Sequence, residues 1–195
     1  MNDLRLAAAS LSGASDAAWA ERAAPFVDLA LLGGLALDEP TRAAARSMVA
    51  RGRDEFLPDD PLTFAREQFR ALDGVGVRPG LNVRAAGPGP VREAAEVCAD
   101  HGAVIEVNAH CRQAEMCAAG AGERLLGDPE RLRAQVRAAS EAGATVSVKV
   151  RTEVDGVDLP AVAAAADAAG ADAVHVDAMD SEGVVAYVAA ATDGV

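Results

Sequence analysis

The chain has 195 residues, 51% of them apolar, and a formal net charge of −12. That length holds one domain with a sizeable core, and the acidic balance argues against a nucleic-acid surface, which needs clustered Lys and Arg to meet phosphates. No apolar run approaches the roughly 20 residues of a membrane span, and the start MNDLRLAAASLSG lacks the basic flank and long apolar stretch of a signal peptide.

Taken in chain order, short apolar runs lie near Leu4–Ala9, Phe26–Leu32, Gly80–Arg84, Val104–Val107, Thr145–Val150 and Ala173–Val176. Ala-rich, charge-bearing segments with helical spacing separate them: Asp16–Ala24, Pro40–Arg51, Pro61–Leu72, Pro90–His101, Pro129–Ala142, Leu159–Ala169 and Ser181–Ala191. Prolines 40, 61, 90, 129 and 160 fall at or near helix starts, where the missing N–H does no harm. Gly102, Gly143 and Gly170 fall where helices should end. The segment RGRDEFLPDDP reads as a loop, and no linker divides residues 1–195, so a single domain is expected. Alternating strands and helices of this length imply a parallel sheet.

Buried parallel strands should be apolar on both faces, yet four of these are not. Val146, Val148 and Val150 oppose Ser147, Lys149 and Arg151; Val174 and Val176 oppose His175 and Asp177. Ile105 and Val107 oppose Glu106 and Asn108; Leu81 and Val83 oppose Asn82 and Arg84. A parallel (β/α) barrel of TIM type explains this, with valines packed outward on helices and polar groups converging at the C-terminal mouth. A doubly wound open sheet is the alternative, and it would leave those polar groups hard to satisfy. About six of a barrel's eight strands are present, so an incomplete α/β barrel is expected, with edges that a partner or a second copy could cover.

Lys149 is the single lysine among 18 basic residues, and it stands on the polar face of the fifth strand. Residues 106–129 read EVNAHCRQAEMCAAGAGERLLGDP, with Asn108 and Cys111 where the fourth strand ends. This stretch resembles the flavin-dependent tRNA-dihydrouridine synthases. In that family's pattern Glu106, Asn108, Cys111, Met116, Gly122, Leu125 and Leu126 fall in register, and VKVRT resembles its Lys-x-Arg strand. SLSGASD is similar to its first flavin-contacting turn. The chain departs from the family at His110 and Arg112, which flank the cysteine in place of Gly and Pro, and at Ala114 and Glu115, where lysines often follow. The family's phosphate-gripping seventh and eighth strand ends and its helical tRNA-binding domain find no counterpart in the sequence.

The resemblance implies an FMN cofactor and NADPH or NADH as electron donor. It implies that Lys149 stabilises the reduced flavin and that Cys111 is the general acid, a thiol being protonated near neutral pH. It places Asn82, Arg151, His175 and Asp177 at the cofactor, and Asn108 and Arg151 at the substrate. Uridine in tRNA would be the substrate and tRNA the partner. A flavin barrel acting on a free pyrimidine or a dihydroorotate-like molecule is the second reading. A non-catalytic barrel fragment that needs a partner is the third.

Plainer roles compete residue by residue. Lys149 could pair with Glu106 as a structural salt bridge, and Cys111 could be a small buried hydrophobe. Cys98 reads as core, His101 as a helix C-terminal cation, and the GPGP run as a turn before a helix. The three cysteines match no zinc spacing, so no metal is expected and a reduced, cytoplasmic setting fits. The acidic, lysine-poor surface suggests adaptation to salt. Urea unfolding should then shift to a higher midpoint in about 1 M KCl, where the Debye length is only about 3 Å; an unchanged midpoint would discard the expectation.

Overall fold

The computed structural model describes residues 4–179 and 181–192. In chain order the elements are β1 (Ala7–Ala8), α1 (Ala17–Ala23), β2 (Leu29–Ala36), α2 (Glu39–Ala50), α3 (Pro61–Ala71), β3 (Arg78–Arg84) and α4 (Pro88–Asp100). There follow β4 (Val104–Asn108), α5 (Ala114–Ala118), a 3-10 helix (Gly122–Gly127), α6 (Pro129–Glu141), β5 (Thr145–Arg151), α7 (Leu159–Asp167), β6 (Ala173–Asp177) and α8 (Val184–Ala190). Among the described residues no helix is long and apolar enough to cross a membrane.

The helices start where local chemistry starts them. The side chains of Asp16, Asp38, Asp60, Asp128 and Asp158 each accept a backbone N–H from the first turn of α1, α2, α3, α6 and α7. Each such cap contributes about 1 kcal/mol. Proline occupies one of the first two positions of α2, α3, α4, α6 and α7, as its spacing predicts. Part of the chain's negative charge is therefore spent on helix entry.

All strand pairs are parallel, and the sheet runs β1-β2-β3-β4-β5-β6. A doubly wound sheet would reverse direction partway along that order, so the sequential order decides for the barrel. Among the described residues this is an incomplete α/β (β/α) barrel of six strands, with β1 and β6 at its edges. Leu32 and Leu35 of β2, Leu81 and Val83 of β3, Ile105 and Val107 of β4, and Val146, Val148 and Val150 of β5 pack outward into the main core. Full burial of each such side chain contributes about 1.5–3 kcal/mol. Leu29, Leu31 and Val104 form a smaller apolar layer on the inner face, with Leu4 against them. The sheet is concave: Leu6 and Leu31 on one side and Ser147 and His175 on the other line one cavity of about 340 Å³.

The structure shifts three elements from their sequence expectation. β2 begins at Leu29 because Asp28 ends a turn and accepts the backbone N–H groups of Arg5 and Leu6, each at 2.9 Å, leaving Phe26 exposed. β1 shrinks to a two-residue pairing. The stretch after β4, to which the sequence assigns no helix, contains α5 and the 3-10 helix, both too short for helical periodicity to register.

Gly122 is required between those two. Its φ is +64°, and a Cβ there would lie 2.2 Å from the Cys111 carbonyl oxygen. Gly122→Ala should lose more than about 2 kcal/mol in urea unfolding, combining left-handed strain with a backbone clash. Gly127→Ala, where a Cβ meets open space, should stay within about 0.5 kcal/mol. Equal effects of the two would refute the packing seen around Cys111.

Candidate active site

Because side chains alternate along a strand, β3–β6 deliver two tiers of polar groups to the inner face. The register aligns Asn82 with Glu106 and Glu106 with Ser147 in the lower tier. It aligns Asn108 with Lys149, and Lys149 with His175, in the next. Arg151 pairs with Asp177 at the rim.

The lower tier is closed. Glu106 is fully buried. One carboxylate oxygen accepts from Asn82 Nδ2 at 2.7 Å; the other accepts from Ser147 Oγ at 3.3 Å and meets His175 Nδ1 at 2.8 Å. A buried carboxylate only accepts, so Nδ1 is assigned the proton. Asn82 Oδ1 accepts from Asn108 Nδ2 at 2.9 Å, and Asn108 Oδ1 accepts the backbone N–H groups of His110 and Cys111 at 3.1 and 2.9 Å. Asn82 and Asn108 thus form a buried relay that fixes the turn after β4.

Glu106 being so engaged, the Lys149–Glu106 pair is not formed. Lys149 is 7% exposed, and among the described residues no hydrogen bond or ion pair engages its ammonium. Its charge acts on both members of a second carboxylate–imidazole pair, in which His110 Nε2 lies 2.5 Å from Asp177 Oδ2. Burial, with repulsion from Lys149 and Arg151, lowers the His110 pKa below the usual histidine value despite the Asp177 hydrogen bond. Burial works to raise the Asp177 carboxyl, but the His110 hydrogen bond and charge, the Met179 amide and Lys149 outweigh it, so it is held below the ordinary value.

His110, Arg112, Arg151, Asp177 and Met179 line a cavity of about 370 Å³ at the mouth. Arg151 donates from Nη1 to Glu123 at 3.2 Å, while its buried Nε has no partner. Cys111 lies between His110 and Arg112 in the chain and is half-buried, but it is not among the residues lining that cavity. Its carbonyl accepts from the Glu123 amide at 2.9 Å, and its side chain packs against the cluster of Met48, Met116 and Ala121. Cys98 is buried in the core, where burial pushes its thiol pKa up.

Sequence reasoning gave no role to His110 beyond marking a departure from the family. An imidazole two residues past a strand end, with Asp177 ending the strand after next, is the signal that was available. It also missed Glu55, whose side chain is shut from solvent against Arg84. Arg84 donates to Glu55 and to the Gly34 carbonyl, so the loop after α2 folds down onto the β3 end of the mouth. Nothing in the sequence distinguishes Glu55 from its acidic neighbours.

No family model matches the chain. It is 32% identical over 138 residues to tRNA-dihydrouridine synthase B of Xanthomonas axonopodis pv. citri, covering 68% of this chain and 41% of that protein. It is 25% identical over 151 residues to an uncharacterised protein of Methanocaldococcus jannaschii, covering 76% of this chain and 58% of that one. The chain thus spans about half the length of these curated relatives. Among solved structures, 2,3-dimethylmalate lyase, a PEP mutase/isocitrate lyase superfamily member, matches with a TM-score of 0.56 at 17% identity, over 96% of this chain and 64% of that one. That likeness shows the barrel fold alone.

Since the folded pKa of His110 is depressed, folding favours the neutral ring. Stability from this group is present above the unfolded value near 6.5 and falls as pH drops through it. Proton NMR should find a His110 midpoint below about 6.5. Asp177→Asn should lower it further by removing an anion, and Lys149→Met should raise it by removing a cation. A midpoint that moves in neither variant would overturn the electrostatic assignment.

Proposed function

We propose that the chain is a flavin-dependent oxidoreductase of the dihydrouridine-synthase type, reducing the C5=C6 bond of a uracil ring with electrons from NADPH or NADH. The carrying observation is the single lysine. Lys149 sits on the inner face near the barrel mouth with no anion engaging its ammonium among the described residues. A cation so placed fits an anionic ring edge, which is the fit that an FMN group requires. Bound FMN would supply the hydride chemistry.

The chain's own residues then take defined parts. Lys149 holds positive charge against the cofactor's anionic edge, in a place where partial desolvation strengthens it. Arg151 adds a second cation beside the cavity. Asn82 and Asn108 are bonded to each other, so they hold the rim in shape beneath the ligand. His175 steadies Glu106 and so fixes the floor of the site. Cys111 is the proton donor of this reading. The similarity to tRNA-dihydrouridine synthase B supports uridine in tRNA as the substrate.

The second reading, a small free pyrimidine or dihydroorotate-like substrate, is favoured by the mouth cavity of about 370 Å³ with Arg112 and Arg151 on its wall and by the net charge of −12. In either reading, the outer edges of β1 and β6 offer backbone groups to a partner or a second copy.

Titration with FMN should produce a visible flavin band that bleaches when NADPH is added. Lys149→Met should weaken FMN binding about 10- to 100-fold, the worth of a charge-assisted contact. Cys111→Ala should leave flavin reduction intact and stop substrate reduction. A protein that stays colourless in excess FMN would remove the proposal. Comparing tRNA with free pyrimidines as electron acceptors would separate the two substrates.

A further inference from the structure

The two carboxylate–imidazole pairs on the inner face differ in one physical respect. In Glu106–His175 the carboxylate has no exposure and both oxygens are engaged, while the imidazole is 32% exposed to the inner cavity of about 340 Å³, which neither Arg112 nor Arg151 lines. In His110–Asp177 the side chains are 30% and 34% exposed, and both face the mouth cavity. Asp177 accepts from Nε2, so the proton is assigned there and Nδ1 keeps a lone pair. Among the described residues nothing bonds to His110 Nδ1. The same cavity wall carries Arg151, whose Nε is buried without a partner, and Arg112, which forms no ion pair among the described residues. Lys149 lies close enough to act on both His110 and Asp177. One cavity therefore joins a fixed imidazole lone pair to Arg112 and to Arg151, which meets Glu123 through Nη1 alone.

We propose that His110, held by Asp177, is the general base of a proton-transfer site whose substrate is a small carboxylate bearing a C–H bond next to a carbonyl group. Arg151 and Arg112 take the carboxylate. The C–H bond breaks, an N–H bond forms at Nδ1, and the electron pair becomes an enolate whose charge is met by the nearby cations. Asp177 stabilises the imidazolium that results, as a carboxylate does in other orienting pairs. Return of the proton, or of a deuteron from solvent, restores the reactant, so the step needs no oxidant or reductant. The charged groups around the ring are Asp177 from β6, Lys149 and Arg151 from β5, Arg112 beyond the end of β4, and Glu153 beyond the end of β5 on the same cavity wall. Burial first, and then the charges of Lys149 and Arg151, favour the neutral ring that can accept a proton. This site acts without any cofactor, so it stands independently of the flavin reading.

The test uses the protein as purified, in deuterated buffer, with 2-oxobutyrate and dihydroorotate offered separately. NMR follows loss of the methylene signal next to the carbonyl. Exchange should exceed the buffer blank with at least one probe and should rise with pH through the His110 midpoint measured on the ring itself. His110→Asn should reduce it about 100-fold or more, the usual worth of a general base. His110→Gln should behave alike, with circular dichroism reporting that both variants are folded. Asp177→Asn should reduce it about 10-fold and shift the pH profile downward. Arg151→Met should raise the half-saturating probe concentration. Exchange that persists in both histidine variants, or that never exceeds the blank with either probe, would overturn the proposal. FMN titration is scored separately, so either result can fail while the other stands.

Discussion

The organising constraint on the inner face is the buried carboxylate of Glu106. An ionised group with no exposure must be fully hydrogen-bonded or neutralised. Three side chains from three strands converge on it: Asn82 from β3, Ser147 from β5 and His175 from β6. That convergence fixes the rotamers of the lower tier and ties the sheet across its concave side, where helices give no support. It also settles what happens one tier higher. With its nearest buried anion already satisfied, Lys149 keeps its charge for the mouth.

From Asn82 the same network climbs to the rim. Asn82 holds Asn108, and Asn108 holds the amides of His110 and Cys111. The turn after β4 is thus set by hydrogen bonds that begin at the barrel floor. Gly122 supports that turn from the other side, its missing side chain letting the Cys111 carbonyl approach. A ring at position 110 is pre-positioned as a result, and positioning of this kind is what separates a catalytic pair from two neighbouring polar residues.

The barrel was legible in the sequence because a barrel strand has a simple period. Val146, Val148 and Val150 alternate with Ser147, Lys149 and Arg151, and no doubly wound sheet satisfies the second set. Proline placement marked the helix starts for an equally local reason. Partner choice was not legible. Lys149 and Glu106 are two positions apart in register, and charge alone suggests a pair; the structure gives Glu106 to Asn82, Ser147 and His175 instead. Nor could the sequence show that Glu55, in a loop rich in charge, folds onto Arg84. Such pairings depend on how the sheet curls, which no window of residues encodes.

His110 is a position at which the chain departs from the family it resembles, and the structure puts its Nε2 2.5 Å from Asp177. Two polar groups that meet in space are better explained together than singly. Without Asp177 the imidazole would lose the hydrogen bond that orients it, and without His110 the Asp177 carboxylate would be left to the charge of Lys149. Bonded to each other, the carboxylate is held beside the imidazole and the ammonium stays unengaged. The pair therefore protects the cation on which cofactor binding would depend, while keeping one ring nitrogen open to the cavity. In the pair below the carboxylate is shut from solvent and the imidazole opens on the separate inner cavity, away from Arg112 and Arg151, and that difference in surrounding charge, more than any difference in residue type, assigns one pair to structure and the other to chemistry.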